Sequence, residues 1–311
     1  MMLIDAGRSE RGWSRVGQFM KCPQLFSYGQ RLDIDLIPAH ALTRGSMGHI
    51  LQAHQHAIWG AQQGGCWVGD DWVEDASTIL PPEEAVHAWC DKEGTGHEHL
   101  DRMIETFRRY MAGYPESPGR VLAVEYPITG VLGKRDGQWG LWAESDDIEL
   151  TPLNCPGHPD HDKPIKLTRR LDLVIEDRAR RVYIWDHKHQ ARVQASKNSD
   201  AYAIDGGFAT FRILGKQIWD RFAGVGLNLI QTQHPWTVAR PLVPATPHRD
   251  AHFAEMLWEA EHRIANLDLN CTSPWEWPKS QHETTCYGRY GPCAAIKLCF
   301  YGKAGIASGQ S

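Results

Sequence analysis

Apolar residues along the chain follow two spacings, and these predict alternating helices and strands. Spacing of three or four residues is typical of helices with one buried face. The predicted helices span residues 13–30, 46–62, 82–92, 96–114, 197–221 and 248–268. Short runs rich in β-branched and aromatic residues are typical of strands. The predicted strands span residues 120–129, 138–143, 167–176, 181–188 and 224–233.

Local signals refine three of these segments. In the helix at 96–114, the apolar face comprises Leu100, Met103, Ile104, Phe107 and Met111. Ser14 is a candidate N-cap for the first helix, because a serine hydroxyl can accept a hydrogen bond from a free backbone N–H there. The Gly- and Trp-rich residues 64–72 (G-G-C-W-V-G-D-D-W) predict a turn.

The order of these elements predicts an α/β fold, with a central mixed sheet flanked by helices. At 311 residues with 42% hydrophobic content, the chain has ample material for a core. We expect a single domain, with a helical part at about 1–115, a core at about 116–270 and a cysteine-bearing tail at about 271–305.

The charge distribution is compatible with a DNA-binding protein. The net charge is −5, but residues 163–197 hold ten Lys or Arg against four Asp or Glu. Contact with phosphates needs only a local basic track; the alternative is a solvated face. No run of 18 apolar residues predicts a membrane span. A G-x-x-x-x-G-K-[ST] loop is also lacking, so any ATP-driven motor would be a separate protein.

The strongest chemical signal is at residues 169–189, R-R-L-D-L-V-I-E-D-R-A-R-R-V-Y-I-W-D-H-K-H. Two apolar runs joined by a charged turn predict a hairpin. Asp186 and Lys188 are two residues apart and share a face, and Asp172 can reach them from the neighbouring strand. Two carboxylates suit Mg²⁺ or Mn²⁺, and a lysine can polarise water beside a phosphate. This predicts metal-dependent phosphodiester hydrolysis; the alternative is a hairpin with a solvated charged end.

The spacing D-x13-D-H-K resembles the D…(D/E)-x-K motif of the PD-(D/E)XK nuclease superfamily. Residues 44–49 (R-G-S-M-G-H), ahead of an apolar helical run, resemble the G-x-x-x-H element of its RecB-like branch. The resemblance implies a restriction-endonuclease-like core. His49 would then be a metal ligand, whereas His54 and His56 on the same helix are expected at the surface.

The same resemblance assigns further roles. His49, Asp172 and Asp186 would hold Mg²⁺ or Mn²⁺, with the backbone carbonyl of His187 completing the metal's coordination. Lys188 would orient the attacking water and offset charge on the phosphate.

Two further segments resemble parts of this family. Residues 121–128 (V-L-A-V-E-Y-P-I) resemble a strand that carries a glutamate, which makes Glu125 a candidate auxiliary acid. The alternative is a surface charge on an edge strand. The family's Q-x-x-x-Y helix has no clear counterpart, because residues 200–211 contain no glutamine. Tyr202 or Asp205 are the candidates for its role.

Four of the eight cysteines are candidate ligands. The first residues are too polar for an export signal, so we expect a reducing compartment, the cytoplasm of a bacterial or phage-infected cell, and metal binding instead of disulfides. The candidates are Cys22, Cys286, Cys293 and Cys299. One early and three late cysteines resemble the iron–sulfur subgroup of these nucleases, which includes the CRISPR-associated adaptation nuclease and phage exonucleases.

The identity of the group held by these cysteines stays open. Four thiolates suit a four-iron four-sulfur cluster or Zn²⁺, and the spacing of x6 then x5 departs from the short C-x2-C of several members. Reduced buried cysteines are the third reading. The remaining four, Cys66, Cys90, Cys155 and Cys271, are expected to be small apolar residues. Residues 151–164 include C-x2-H-x2-H, which indicates either a zinc loop or an insertion.

Together these motifs predict a metal-dependent DNA exonuclease that acts in recombination, repair or replication. Two alternatives stay open. The chain could be a DNA-end binding or assembly module with a metal–cysteine cluster, inactive without a partner such as a helicase or annealing protein. It could also be an endonuclease of the same superfamily.

Overall fold

The computed structural model describes residues 1–4, 12–31, 39–280, 283–288, 291–293 and 295–301. Helices in this part of the chain are α1 (Trp13–Lys21), α2 (Pro23–Arg31), α3 (Ala39–Gln62), α4 (Pro82–Glu93), α5 (Leu100–Gly113), α6 (Ala195–Ala203), α7 (Gly206–Ile218), α8 (Pro247–Ala251), α9 (Phe253–Asn270), α10 (Glu283–Cys286) and α11 (Ile296–Tyr301). None of them is both long and apolar enough to cross a membrane.

The strands are β1 (Cys66–Val68), β2 (Asp71–Val73), β3 (Arg120–Arg135), β4 (Gln138–Ala143), β5 (Glu149–Leu150), β6 (Lys166–Glu176), β7 (Val182–Gln190), β8 (Phe222–Gln231), β9 (Val238–Ala239), β10 (Tyr287–Gly288) and β11 (Gly291–Pro292). The first nine form one mixed sheet in the order β2-β1-β3-β6-β7-β8-β9, with β4 and β5 also paired to β3. The predicted α/β class, with a central mixed sheet flanked by helices, is confirmed.

The centre of the sheet is built from four long strands. Strands β3, β6 and β7 are antiparallel to one another, and β8 lies parallel to β7. The parallel step needs a crossover connection, which α6 and α7 supply. The hairpin predicted from residues 169–189 is therefore the β6–β7 pair at the middle of the sheet.

Helices cover both faces of this sheet. On one face, α3 packs the small side chains of Ala53, Ala57 and Ala61 against apolar residues of β1, β3 and β6. On the other face, α7 and α9 contribute residues such as Phe211 and Leu257 to the largest apolar cluster. In α5, the predicted apolar face is buried from Leu100 to Phe107, and Met111 is half-buried.

Three predicted helices are interrupted, one of them at His252 between α8 and α9, and Ser14 is not an N-cap. The first helix ends at Lys21 and resumes at Pro23, because the residue before a proline is disfavoured in the helical conformation; Cys22 is extended. The N-cap is Gly12, and Ser14 lies inside the first turn. The helix predicted over 197–221 divides into α6 and α7, because Asp205 is extended and starts a new helix.

The predicted turn at 64–72 is in fact a small antiparallel hairpin. Trp67 pairs with Trp72, and β1 also lies parallel to β3, with Val68 opposite Val124. Strand β3 is therefore covered on both sides around residue 124. This placement determines the environment of Glu125.

Candidate metal centre

The candidate catalytic residues lie where β6 and β7 separate. The β6–β7 ladder runs from Glu176–Val182 to Leu173–Trp185 and stops there. The next residues in the same register are Asp172 and Asp186. Their side chains face each other at the end of the ladder, and both are buried. The predicted convergence of these two carboxylates is therefore present.

A hydrogen bond holds Asp172, and an ion pair holds Asp186. The backbone N–H of His187 donates to Oδ2 of Asp172 at 2.6 Å, across the gap where the ladder would have continued. Nζ of Lys188 lies 2.5 Å from Oδ2 of Asp186. Nζ also lies 5.9 Å from the ring centroid of Tyr202, within cation–π range.

Glu125 is the third buried carboxylate of the site. It is opposite Asp172 in the β3–β6 register, between the pairs Val124–Leu173 and Tyr126–Leu171. Its backbone has φ 48°, a left-handed conformation that a residue other than glycine rarely adopts. The alternative of a surface charge on an edge strand is wrong, because β1 flanks β3 on that side and the side chain is buried.

His49 closes the group from helix α3. Its Nδ1 lies 3.4 Å from Oδ2 of Asp172. His49, Glu125 and Asp172 each offer one ligand atom, and these three atoms lie within 4.8 Å of one another. Among the described residues, Glu125 is therefore the third side chain with metal-ligand spacing. Asp186, which was predicted as a ligand, forms an ion pair with Lys188.

Burial and neighbouring charges shift the pKa values of Asp172 and Lys188. Burial raises the pKa of the Asp172 carboxyl, and the nearby Asp186 carboxylate adds to this increase, although His49 offsets part of it. Burial alone would lower the pKa of Lys188, but Asp186 and Asp172 outweigh it and raise that pKa. Asp172 and Asp186 therefore share the ammonium of Lys188, and Glu125 is a third buried carboxyl group beside them.

Buried imidazoles pack behind His49. The rings of His56 and His187 stack at 5.1 Å with 6° between their planes. Burial, with a contribution from Arg240, lowers the pKa of His56 to about 3; burial also lowers the pKa of His189, again to about 3. These rings are therefore neutral at physiological pH.

Neither His54 nor His56 is at the surface, so that prediction was wrong. His54 is fully buried, accepts a hydrogen bond from the backbone N–H of Ile4 at Nε2 (3.0 Å), and has Nδ1 2.8 Å from the carbonyl of Leu80. Burial lowers its pKa. A histidine can occupy a buried helix face when it is neutral and its ring nitrogens find partners.

A polar network that the sequence interpretation missed holds the His187 ring. Nδ2 of Asn228 lies 3.0 Å from Nδ1 of His187 and 3.1 Å from the hydroxyl of Tyr110. Arg240 donates to the same hydroxyl at 2.6 Å. One signal could have revealed it, because Asn228 interrupts an otherwise apolar strand and a buried amide needs partners.

The two candidates for the missing glutamine helix differ in position. Tyr202 lies beside Lys188 and packs against Phe208, with ring centroids 4.9 Å apart. Asp205 is the N-cap of α7, where its carboxylate accepts a hydrogen bond from the backbone N–H of Gly207 at 2.8 Å. The structure thus gives Asp205 a capping role, while the Tyr202 ring lies next to Lys188.

The four candidate cysteine ligands come together at the first two helices. Cys22 is buried in an apolar cluster with Tyr28, against which Cys293 and Cys299 pack. Cys286 joins them through its backbone carbonyl, which accepts from the N–H of Cys293 at 2.6 Å. Burial raises the pKa of the Cys293 and Cys299 thiols, and Cys22 adds to both increases. Residues more than 260 positions apart therefore meet.

The spacing of these thiols exceeds that of ligands around one zinc ion. Zn–S bonds of about 2.3 Å place tetrahedral sulfurs roughly 3.8 Å apart. Within the described residues, no three of these sulfurs lie within 4.8 Å of one another.

The remaining cysteines fit their predicted apolar role. Cys66, Cys90 and Cys155 are buried, and Cys271 packs at the edge of the main cluster. In the 151–164 loop, the Cys155 thiol lies 3.8 Å from Oδ1 of Asn266, and Nδ1 of His158 accepts from the N–H of Asp160. Cys155, His158 and His161 are not among the groups of described residues with metal-ligand spacing.

A scan against models of protein families finds no match to this chain, and a search of the curated proteins also finds none. Function is therefore inferred from the geometry of the site.

Proposed function

We propose that this protein is a metal-dependent DNA exonuclease with a PD-(D/E)XK core of the RecB-like type. One observation carries the proposal. His49, Glu125 and Asp172 offer ligand atoms within 4.8 Å of one another, beside the Asp186–Lys188 pair. Motifs more than 120 residues apart in sequence thus contribute to one buried site.

The donor set fits a hard divalent cation. Carboxylate oxygens with one imidazole nitrogen suit Mn²⁺, and carboxylates suit Mg²⁺. In an octahedron with bonds of about 2.1 Å, adjacent ligand atoms lie roughly 3 Å apart and opposite ones about 4.2 Å apart. The 4.8 Å limit on His49, Glu125 and Asp172 is compatible with this geometry after small side-chain adjustments. Asp186 and the backbone carbonyl of His187 are the proposed additional ligands.

The chain's own groups have distinct roles in this proposal. When bound, the divalent ion supplies positive charge that stabilises the phosphate in the transition state. Lys188, held by Asp186 and placed over Tyr202, orients the attacking water and offsets charge on the phosphate oxygens. The His187 N–H keeps Asp172 in one rotamer, so that its second oxygen can face the ion.

We further propose that Cys22, Cys286, Cys293 and Cys299 hold a four-iron four-sulfur cluster. The wide spacing of the thiols favours this over Zn²⁺. Their position supports a structural role, in which the cluster fastens α1 and α2 to the last described segment. Ligand binding of this kind contributes directly to folding free energy.

The experiment that tests the nuclease proposal uses end-labelled single- and double-stranded DNA. Purified protein is incubated with Mg²⁺ or Mn²⁺, with Asp186→Ala alongside and covalently closed circular DNA as a third substrate. An exonuclease releases label from ends and leaves circles intact. Cleavage of circles would indicate an endonuclease. DNA binding without cleavage of any substrate would contradict the proposal and favour an end-binding module that works with a partner.

A further inference from the structure

Arg169 on β6 packs on an aromatic ring and forms no ion pair with any of the described residues. Its guanidinium lies over the ring of Phe211, with 4.6 Å from Cζ to the ring centroid. Its Nε is buried and has no hydrogen-bond partner, and within the described part of the chain Arg169 forms no ion pair.

Arg212 provides a comparison, because it is a guanidinium with a structural role in the same region. Arg212, adjacent to Phe211 in sequence, is buried and donates to Asp250 at 2.7 and 2.9 Å and to Thr246 at 2.7 Å. Arg169 also lies beside Phe211, but among the described residues it has no comparable set of hydrogen-bond acceptors. The carboxylate nearby, that of Asp205, is turned to the N–H of Gly207. Among the described residues, the Arg169 guanidinium thus has no carboxylate within ion-pair distance.

The guanidinium packs closely against Gly207. A Cβ atom at position 207 would lie 3.1 Å from an Arg169 terminal nitrogen, so a larger residue than Gly207 would displace the side chain. Arg169 is half-buried, which leaves part of the guanidinium accessible. Its aromatic support restricts it to a defined position, which favours binding of a planar or tetrahedral anion.

Arg169 lies on the same side of the sheet as Lys188. Tyr202, beneath Lys188, packs on Phe208, and Phe208 packs on Phe211 beneath Arg169. Arg169 is also three residues from Asp172 on one strand, which is about 10 Å at 3.3 Å per residue. In one DNA strand a phosphate recurs about every 3.4 Å of the helix axis. A strand cleaved at the carboxylates would thus bring a neighbouring phosphate to Arg169.

We propose that Arg169 forms a second phosphate subsite, which binds a phosphate of the substrate strand within about three nucleotides of the cleaved bond. This inference rests on the proposed nuclease function. The bound group is a phosphodiester of the backbone or a terminal phosphate monoester. Both accept paired hydrogen bonds from a guanidinium, and neither carries sequence information.

The test measures DNA binding separately from cleavage. Fluorescence anisotropy follows an internally labelled, short oligothymidylate in EDTA across a series of salt concentrations. The full-length variants are Arg169→Gln and Arg169→Lys, with Arg178→Gln as the matched control, because Arg178 is exposed in the β6–β7 turn. The oligonucleotide carries a 5′ phosphate, a 3′ phosphate or neither.

We expect Arg169→Gln to weaken binding about ten-fold and to reduce the slope of log affinity against log salt by about one. Arg169→Lys should recover part of the loss, and Arg178→Gln should match the wild type. An equal loss on all oligonucleotides assigns the subsite to a backbone diester, and a loss confined to one phosphorylated end assigns it to that terminus. Wild-type affinity in Arg169→Gln, an equal loss in Arg178→Gln, or no binding by the wild type would each overturn the inference.

The same variants separate this inference from the nuclease proposal. If DNA binding depends on Arg169 but the protein cleaves no DNA, the phosphate subsite is supported and the nuclease proposal is contradicted. If Arg169→Gln cleaves DNA with an unchanged KM and binds it with unchanged affinity, the nuclease proposal is supported and the phosphate subsite is contradicted.

Discussion

Glu125 lies opposite Asp172 in the register of the two central strands and has a φ of 48°. The face of the sheet to which alternate side chains point changes at this pair of residues. Val124 and Leu173 pack beneath α3, whereas Tyr126 and Leu171, two residues further on, pack on the other face. Regular strands would keep residues two apart on one face. A strained backbone at a buried acid, retained by its surroundings, is characteristic of functional sites.

The backbone of Glu125 makes a prediction about stability. Glu125→Gly should be more stable than Glu125→Ala by about 1 kcal/mol, because only glycine adopts a left-handed conformation without a steric cost. Both variants lose the same carboxylate, so the comparison isolates the backbone. Urea unfolding in EDTA measures the difference.

The control for Glu125 is on the same strand. Ala123→Gly should destabilise the protein, because Ala123 is buried in the regular part of β3. If Glu125→Ala were as stable as Glu125→Gly, the strain at this position would be refuted.

Divalent ions should stabilise the folded protein through Asp172. In wild type, Mn²⁺ at about 100 times its Kd should add about 2.7 kcal/mol and raise Tm. Asp172→Asn keeps the shape and an acceptor for the His187 N–H but removes the charge, so most of this increase should be lost. Differential scanning fluorimetry with and without Mn²⁺ measures it. The control Asp146→Asn, at an exposed site, should respond like the wild type. An undiminished Mn²⁺ response in Asp172→Asn would remove Asp172 from the site.

Loss of a cysteine ligand should release the proposed cluster. Cys22→Ser or Cys299→Ser should lower bound iron and inorganic sulfide and destabilise the fold. The brown colour expected of a protein with an iron–sulfur cluster should also be lost. Cys271→Ser is the matched control, because Cys271 is half-buried and outside the proposed set. Iron analysis of purified protein gives the answer. Full iron content in Cys22→Ser, or one zinc and no iron in the wild type, would overturn the cluster assignment.

Docking of the N-terminal residues should depend on pH through His54. Its pKa is lowered by burial in the folded state, so unfolding takes up a proton below the ordinary value of 6.5. The stability contributed by His54 is therefore complete above pH 6.5 and decreases as the pH falls from there towards the folded pKa. Protonated Nε2 can no longer accept from the Ile4 N–H.

Comparison with His54→Gln isolates this group from the other buried histidines. The stability advantage of the wild type should narrow when urea midpoints are measured at successively lower pH below 6.5. A constant advantage across that range would show that His54 does not titrate on unfolding.

The sequence predicts which side chains meet at the site better than it predicts what surrounds them. Asp172, Asp186 and Lys188 are positioned by strand alternation and one hairpin, both of which are local. Glu125 depends on a neighbour, because the strand that covers it comes from residues 66–68, a segment whose glycines predict a turn. The burial of a strand depends on which strands pair with it, and the residue pattern of that strand alone does not reveal its partners.

The same limit explains the wrong prediction for His56, but it does not explain the errors at the helix ends. His49 and His56 are seven residues apart and share one helix face, but α3 is buried well beyond one stripe, so polarity alone predicted the wrong exposure for His56. By contrast, the break at Cys22 was predictable from Pro23, and the break before α7 from Asp205 and the two glycines that follow it.

The most direct test of the central claim is the single-turnover rate of DNA cleavage in saturating Mn²⁺. Asp186→Ala and Lys188→Ala are compared with the wild type and with two exposed controls, Asp146→Ala and Lys216→Ala. Circular dichroism confirms folding of each. We predict a loss of at least about 1000-fold in both site variants, since each removes a charge that acts at the phosphate, and none in the controls. Wild-type rates in Asp186→Ala and Lys188→Ala would contradict the account.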